Sequence, residues 1–240
     1  MGNDWRVSGI DVVGDVAWGT HTCHLYQTKE DLLDILVPYF KAGLTNNEFC
    51  LWITAEPLNE KEARKALREA LPNFSRYLKR GQIDIVPYDQ WYLRDGAFVA
   101  QAVYDSWMDK LNWALSEGYD GLRTAGNVGW LEQKDWKSFI AYEQRLNDSL
   151  RECRMIVVCS YPLSKCGASE VVDVIENHQY ALLRRDGRWE LVENSERKRS
   201  EDAIRRQNEQ LKALVAELSL KNRVHEFQAQ FHWHVEDKGI

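Results

Sequence analysis

The sequence has little of what disulfide-rich, nucleic-acid-binding or membrane proteins require. The chain has five cysteines and no CxxC pair, so we expect no disulfide framework and a reducing compartment. The net charge of −6, without a basic patch, argues against direct binding of nucleic acid. No signal peptide and no apolar run approaching ~18 residues is present. We therefore expect a cytoplasmic protein without a membrane partner.

The motifs of several common enzymes are also missing. The expected link between the first strand and the first helix is Gln27-Thr28-Lys29. It contains no glycine, so its backbone amides cannot cradle phosphates as a Walker A loop does. We find no GxSxG, no HExxH and no Ser-His-Asp order, and no carboxylate pair is spaced for acid–base catalysis. The sequence therefore predicts a protein that is not an enzyme, does not hydrolyse nucleotides and needs no cofactor.

The chain does have a regular alternation of short apolar runs and longer amphipathic stretches between about residues 20 and 193. This pattern predicts an α/β domain in which helices cover both faces of a mostly parallel sheet. Asp186-Gly187 separates the last two apolar runs and predicts an antiparallel hairpin. In such sheets, ligands bind beyond the carboxyl ends of the strands. The predicted strands include 49–53, 83–86, 121–126 and 155–159, and the predicted helices are 28–43, 59–71, 97–117, 136–151 and 168–177.

The composition changes at residue 194. Residues 195–224 contain neither glycine nor proline and are rich in charged residues, glutamine and leucine. We therefore divide the chain into an α/β domain, residues 1–193, and a helical tail, residues 194–240. An imperfect heptad pattern predicts a coiled-coil-like helix that forms a parallel homodimer, with a surface helix folded back on the domain as the alternative. The d positions are Ile204, Leu211 and Leu218, and the a positions are Asn208, Val215 and Asn222.

The segment GTHTCHLY at 19–26 is the most unusual polar cluster in the chain. His21 and Cys23 alternate, so on a strand both side chains point to one face. They could contact a small-molecule ligand, or bind a metal ion together with Cys159 and a further ligand such as His24 or Cys166. A packed strand with a hydrogen-bonded histidine and an inert buried thiol is the alternative.

Other polar side chains stand at the ends of predicted strands. Glu56 directly follows a buried strand, where it either faces a ligand or caps the next helix with Asn59. An inward-facing Arg123 would pair with Glu56 or with an anionic ligand. Glu143 and Asn147 share one face of a helix, either in a site or in solvent. The predicted ligand site consists of His21, Cys23, Tyr26, Glu56, Arg123, Asn127, Trp130 and Tyr161.

Five segments also occur in a familiar order, namely GTHTCHLY at 19–26, LWITAEP at 51–57, LRTAGNVGW at 122–130, YEQRLN at 142–147 and VVCSY at 157–161. Over roughly residues 15–193 they resemble the methanogen/methylotroph sensory (MEDS) domain family. The resemblance implies a RecA-like or circadian-clock-ATPase-like fold that has lost its nucleotide loop. It also implies that His21 and Cys23 are the family's histidine-x-cysteine pair, and that Glu56 stands where related ATPases keep a catalytic glutamate. Asn127 departs from the acidic residue expected at its position.

The same resemblance implies a sensory role upstream of a histidine kinase or a transcription regulator, with simple hydrocarbon derivatives or one-carbon compounds as ligands. His225, which precedes an acidic residue, faintly resembles a kinase phosphoacceptor, although a surface histidine is the alternative. Three other functions stay open on the residues alone. They are a degenerate RecA-like nucleotide binder, a metal or redox sensor that uses His21 and Cys23, and a scaffold without a pocket.

Overall fold

The structure is a computed structural model that describes residues 5–193, 206–216 and 219. The chain divides into two units, residues 1–194 and 195–240. No helix in the described ranges is long and apolar enough to cross a membrane.

The first unit alternates strands and helices along the chain. The strands are β1 (Trp5–Val7), β2 (Asp15–Ala17), β3 (His21–Tyr26), β4 (Phe49–Thr54), β5 (Ile83–Pro87), β6 (Leu93–Arg94), β7 (Ala97–Phe98), β8 (Leu122–Asn127), β9 (Met155–Pro162), β10 (Tyr180–Arg185) and β11 (Arg188–Glu193). The helices are α1 (Lys29–Thr45), α2 (Glu60–Ala70), α3 (Phe74–Lys79), α4 (Tyr88–Tyr92), α5 (Ala100–Ser116), α6 (Trp136–Leu150) and α7 (Ala168–Asn177).

Seven of these strands form one sheet in the order β11-β10-β3-β9-β8-β4-β5. The strands from β10 to β5 are all parallel to their neighbours, and β11 alone runs antiparallel, as the partner of β10 at the edge. Strands β3, β4 and β8 are buried along their whole length. The almost entirely apolar sequence of β4 matches this environment, whereas β3 and β8 bring polar side chains into it. The predicted parallel sheet with a final antiparallel hairpin is confirmed.

Helices cover the sheet on both faces, and each face has its own hydrophobic core. Helices α1, α2 and α3 pack on one face, with side chains such as Tyr39, Trp52 and Phe74 in the core. Helices α5, α6 and α7 pack on the other, with side chains such as Trp107 and Phe139. We call these the α1–α3 face and the α5–α7 face. A side chain of the sheet reaches only one of them, because neighbouring residues of a strand point to opposite sides.

Two Asp-Gly pairs form tight turns between antiparallel strands. Asp186 and Gly187 have φ values of 50° and 75°, as a type I′ turn requires, and they connect β10 to β11 as predicted. Asp95 and Gly96, with φ values of 50° and 78°, connect the two-residue strands β6 and β7 in the same way. The sequence prediction placed residue 97 at the start of a helix; the structure instead has β7 there, and α5 begins at Ala100.

In the second unit, residues 206–216 are helical. Three of the six predicted heptad positions fall within this helix, namely Asn208, Leu211 and Val215, and all three are exposed. The other predicted positions, Ile204, Leu218 and Asn222, lie outside the described residues, as does His225. The coiled coil and the homodimer therefore stay predictions.

Candidate functional site

The predicted ligand residues divide between the two faces of the sheet. Cys23 and Tyr161 belong to the core of the α5–α7 face, and Trp130 packs against it. Tyr26 belongs to the core of the α1–α3 face, where its hydroxyl meets Asn127. The sheet itself separates these groups, so the single pocket expected from the sequence is corrected to two separate regions.

Tyr26 and Asn127 close the carboxyl ends of β3, β4 and β8 on the α1–α3 face. The Tyr26 hydroxyl donates to Asn127 Oδ1 at 3.0 Å, and Asn127 Nδ2 donates to the Ala55 carbonyl at 3.0 Å. The backbone N–H of Gly129 also donates to Asn127 Oδ1, at 2.8 Å. Glu56 joins through its backbone carbonyl, 3.5 Å from the Tyr26 hydroxyl, while its side chain is exposed. Asn127 therefore holds three strand ends together, and it needs both a donor and an acceptor to do so.

Arg123 lies near the amino end of β8 and is fully buried. It forms an ion pair with the buried carboxylate of Glu48, not with Glu56 as the sequence suggested. Its guanidinium also donates to the carbonyls of Ser8, at 2.8 Å, and Val7, at 2.9 Å. The charge and the donors of Arg123 are thus used to hold the N-terminal segment against the sheet. The helix cap expected of Glu56 is also absent, because Asn59 caps α2 with Glu62.

Four side chains meet inside the α5–α7 face: His21 from β3, Glu143 from α6, Cys159 from β9, and His178, which directly follows α7. His21 Nε2 lies 3.3 Å from Cys159 Sγ and 3.3 Å from Glu143 Oε2. His178 Nε2 lies 3.4 Å from the same carboxylate oxygen. All four residues are buried, so the sheet, α6 and α7 enclose a polar centre. We call these residues the histidine–carboxylate cluster.

Burial and mutual contact set the charges in this cluster. Burial lowers the pKa of His21 to about 4, so its imidazole is neutral at pH 7. Burial also opposes ionisation of Glu143, but the neighbouring histidines outweigh it and hold the pKa of this carboxyl down at about 2. Burial, reinforced by Glu143, raises the pKa of the Cys159 thiol well above its usual range. Glu143 is therefore a buried carboxylate beside a neutral imidazole and a neutral thiol.

The cluster includes only part of what the sequence suggested. His21 and Cys23 share one face as predicted, and Cys159 joins His21, but Cys23 is not among the four clustered donors. His24 points to the other face, where its Nδ1 lies 3.2 Å from Ser160 Oγ. The sequence carries no signal for His178, and for Glu143 it left a solvent-exposed position as the alternative. The sequence does offer one indication for Glu143, because it is an acidic residue on the apolar face of the predicted helix.

An aromatic cavity of about 230 Å³ opens beside the carboxyl ends of β5 and β8, on the α5–α7 face. Its apolar wall consists of Tyr88, Leu93, Ala97, Phe98 and Trp130, and Glu132, Lys134 and Asp135 add a polar rim. The Tyr88 and Trp130 rings are nearly parallel, with centroids 5.8 Å apart. Of the eight predicted ligand residues, Trp130 alone lines this cavity. A second cavity of about 230 Å³, between α1 and the β10–β11 hairpin, is lined by none of the eight.

The amino end of α1, where a related nucleotide-binding fold would hold phosphate, is already occupied by a side chain. Thr28 caps the helix as predicted, and the Asp31 carboxylate accepts the backbone N–H groups of Gln27, at 2.9 Å, and Thr28, at 3.0 Å. An anion at this place would meet the Asp31 carboxylate, which already accepts the amides of Gln27 and Thr28.

Comparison with known proteins identifies the family. The model of the MEDS domain, the methanogen/methylotroph, DcmR sensory domain, matches residues 20–179, more than half of the chain. The chain belongs to the MEDS family. The match contains β3 to β9, the histidine–carboxylate cluster and the aromatic cavity, and the resemblance seen in the sequence is confirmed.

Two known proteins show what this chain is similar to. The transcriptional repressor DcmR of Methylorubrum extorquens (strain DSM 6343 / CIP 106787 / DM4) is 25% identical over 177 residues, which are 72% of this chain but only 62% of the repressor. A crystal structure of a KaiC-like protein from Pyrococcus horikoshii OT3 matches with a TM-score of 0.47 and 16% identity, over 78% of this chain and 85% of that one. Because this score is below 0.5, the RecA-like classification stays a prediction.

Proposed function

We propose that this MEDS domain is a non-enzymatic sensor that binds a small, mainly apolar molecule in the aromatic cavity. The signal passes through the helical tail to a histidine kinase or a transcription regulator. Membership of a family of sensory domains supports the role as a sensor. The aromatic cavity is the single observation that supports a small, mainly apolar ligand. Simple hydrocarbon derivatives and one-carbon compounds fit this class.

The size and lining of the cavity favour a ligand of a few heavy atoms. Drug-sized ligands need pockets of roughly 300–1,000 Å³, and the volume here is about 230 Å³. Three aromatic rings, Tyr88, Phe98 and Trp130, offer a wall on which an apolar or polarisable group can pack. The occupied amino end of α1 counts against the alternative of a nucleotide binder.

Helix α6 supplies a physical route from the cavity to the end of the domain. Phe139 of α6 packs edge-on against Trp130 in the cavity wall, with ring centroids 5.9 Å apart. One turn further along, Glu143 contacts His178, which leads into β10. The β10–β11 hairpin is the last element before the tail. A ligand that shifts α6 would therefore shift the hairpin, provided that it binds the two arrangements with different affinity.

A filled-cavity variant tests the proposed ligand site. Ala97 is exposed and lines the cavity, so Ala97→Trp adds a large ring without removing any core contact. We expect the full chain to bind at least one member of a panel of halogenated and methylated one-carbon compounds in titration calorimetry. Ala97→Trp should weaken this binding by roughly tenfold or more, because 1.4 kcal/mol of lost contact already gives that factor.

The matched control is Val99→Trp, since Val99 is also exposed and two residues away but does not line the cavity. It should bind as the unmodified chain does. Equal losses in both variants, or no binding across the panel, would count against the proposed site. A rise in melting temperature with magnesium ATP would favour the nucleotide-binding alternative.

A further inference from the structure

We propose that His21, Glu143, Cys159 and His178 form a buried tetrahedral site for a zinc ion. The four residues come from β3, α6, β9 and the position after α7, and their donor atoms all lie within 4.8 Å of one another. This inference uses the histidine–carboxylate cluster alone and does not depend on a ligand in the aromatic cavity.

Three of the six distances among the donor atoms match those of a tetrahedral coordination shell, and all six are within 4.8 Å. Zinc bonds of about 2.0–2.3 Å place neighbouring ligand atoms about 3.3–3.8 Å apart at the corners of a tetrahedron. His21 Nε2 is 3.3 Å from Cys159 Sγ, and Glu143 Oε2 is 3.3 Å from His21 Nε2 and 3.4 Å from His178 Nε2. Glu143 Oε1 is 3.9 Å from Cys159 Sγ. The remaining donor pairs lie within 4.8 Å, so they would draw closer together around one ion.

The hydrogen bonding of His178 leaves its Nε2 available to a cation. Its Nδ1 donates to the carbonyl of Val174 at 2.7 Å, so in the neutral ring Nε2 carries a lone pair. That lone pair faces Glu143 Oε2, which is also an acceptor, and neither atom has a hydrogen-bond partner in the described part of the chain. Two acceptors at this distance require a positive charge between them, which either a proton on His178 Nε2 or a metal cation supplies. An Nδ1–H bond to a backbone carbonyl is also how ligating histidines are usually oriented.

His21 has a corresponding arrangement on the other side of the cluster. Coordination through Nε2 leaves the proton on Nδ1, which is buried without a partner among the described residues. Asn147 lies beside His21, and its buried Oδ1 is likewise without a partner. The Asn147 amide oxygen is thus the available acceptor for the His21 proton in the metal-bound form. Two imidazoles, each held by a group outside the coordination shell, would then face one ion.

The donor set selects zinc among the common cations. Two imidazoles, a thiolate and a carboxylate suit a tetrahedral zinc ion, whereas magnesium and calcium prefer oxygen ligands alone. On binding, the Cys159 S–H bond breaks, a zinc–sulfur bond forms and the proton leaves to solvent. The thiolate and the Glu143 carboxylate together balance the charge of the ion. Because four protein ligands complete the shell, the site is closed and structural, and it joins the segment before β10 to the centre of the sheet.

Reconstitution of the full chain tests the site. Because the cluster is buried, the metal should enter during folding, so the protein is unfolded with a chelator and refolded with cobalt(II) or zinc(II). We expect one ion per chain after desalting, with the visible bands of tetrahedral cobalt and a thiolate-to-cobalt charge-transfer band. The zinc-loaded protein should melt at a higher temperature than the metal-free protein, since an ion that binds only the folded state stabilises it.

A pair of cysteine variants identifies the sulfur ligand. Cys159→Ala should lose the charge-transfer band and weaken zinc binding by roughly tenfold or more. Cys23→Ala is the matched control, because Cys23 is buried and pairs with Cys159 in the β3–β9 register but is not among the four donors. It should keep both the band and the stoichiometry. Glu143→Gln, which keeps the size of the side chain, should weaken binding while leaving the charge-transfer band of residual cobalt in place.

Two results would overturn the assignment. The first is unmodified protein that refolds with neither zinc nor cobalt bound and melts at the same temperature with and without metal, in which case Glu143 and His178 form a metal-free ion pair. The second is loss of the band in Cys23→Ala but not in Cys159→Ala. The spectrum of the unmodified protein alone separates a thiolate site from adventitious surface binding, even if a variant fails to fold.

Discussion

Asn127 uses both the oxygen and the nitrogen of its side-chain amide, so no other residue type of this size can replace its hydrogen bonds. Its Oδ1 accepts from Tyr26 and from the backbone of Gly129, while its Nδ2 donates to the carbonyl of Ala55. An acidic residue, which the family resemblance leads one to expect here, could accept both bonds but could not donate the third. In this chain the position therefore serves to join three strand ends.

Asn127→Asp should accordingly destabilise the domain. The carboxylate would lose the bond to Ala55 and place a charged oxygen against that buried carbonyl, at a cost of about 1–3 kcal/mol in the free energy of unfolding. Urea unfolding measures the change. Asn177→Asp is the control, since Asn177 Nδ2 also donates to a backbone carbonyl, that of Asp173 at 2.8 Å, but at a half-buried position. A loss no larger in Asn127→Asp than in the control would contradict this explanation.

For strand β3, the sequence predicted which face each side chain points to, but not all of the residues that these side chains contact. Alternation along a strand was enough to place His21 and Cys23 on one face and His24 on the other. It could not give Glu143 and His178, because these residues lie more than a hundred positions away and meet His21 through the packing of α6 and α7. Cys159, on the neighbouring strand β9, was the one partner already among the candidate metal ligands. A lone histidine after a helix carries no periodic signal, which is why His178 was missed.

At the level of whole elements, apolar runs were more informative than loops. The predicted helix 168–177 has the bounds of α7, and the predicted strand 49–53 differs from β4 by one residue. The β6–β7 hairpin was missed although Asp95-Gly96 is the same turn signal as Asp186-Gly187. Its strands have only two residues each, too few for an alternating pattern, yet this hairpin supplies Leu93, Ala97 and Phe98 to the aromatic cavity.

The burial of His24 within β3 makes the stability of the domain depend on pH. Burial lowers the pKa of His24 to about 3, only weakly opposed by Asp31, whereas an unfolded histidine titrates near ~6.5. Below that value the unfolded chain binds one proton more than the folded chain, so stability falls as the pH drops from ~6.5 towards the folded pKa. Between pH 7 and pH 5 this single group should remove about 2 kcal/mol.

His24→Gln tests this dependence, because glutamine does not titrate but can still meet the Ser160 hydroxyl that lies 3.2 Å from His24 Nδ1. The free energy of unfolding is measured in urea at pH 7 and pH 5, for the original chain and for the variant. The drop between the two pH values should be smaller in the variant by about 2 kcal/mol. Identical drops would mean that His24 accepts a proton in the folded state.

On the scale of the whole molecule, the proposed function requires the tail to turn a change within the α/β domain into an output, and paired helices are a simple way to do so. The described tail helix exposes Leu211, Leu214 and Val215 at 59%, 54% and 55%. Leu211 and Val215 are predicted d and a positions of the heptad, and in a parallel dimer they would pack against their counterparts in the second chain. We therefore expect the full chain to be a dimer whose dissociation depends on concentration.

The double variant Leu211→Asp/Val215→Asp should shift the full chain to monomer in sedimentation velocity or light scattering, because burying four carboxylates in a dimer seam is strongly unfavourable. Gln210→Asp/Ala213→Asp adds the same charge at the outward c and f positions of the same helix and should leave the dimer in place. A full chain that is monomeric at every concentration would contradict the predicted seam. If both double variants dissociate equally, the added charge causes the effect and the heptad seam does not. A seam at the a and d positions predicts that only Leu211→Asp/Val215→Asp dissociates.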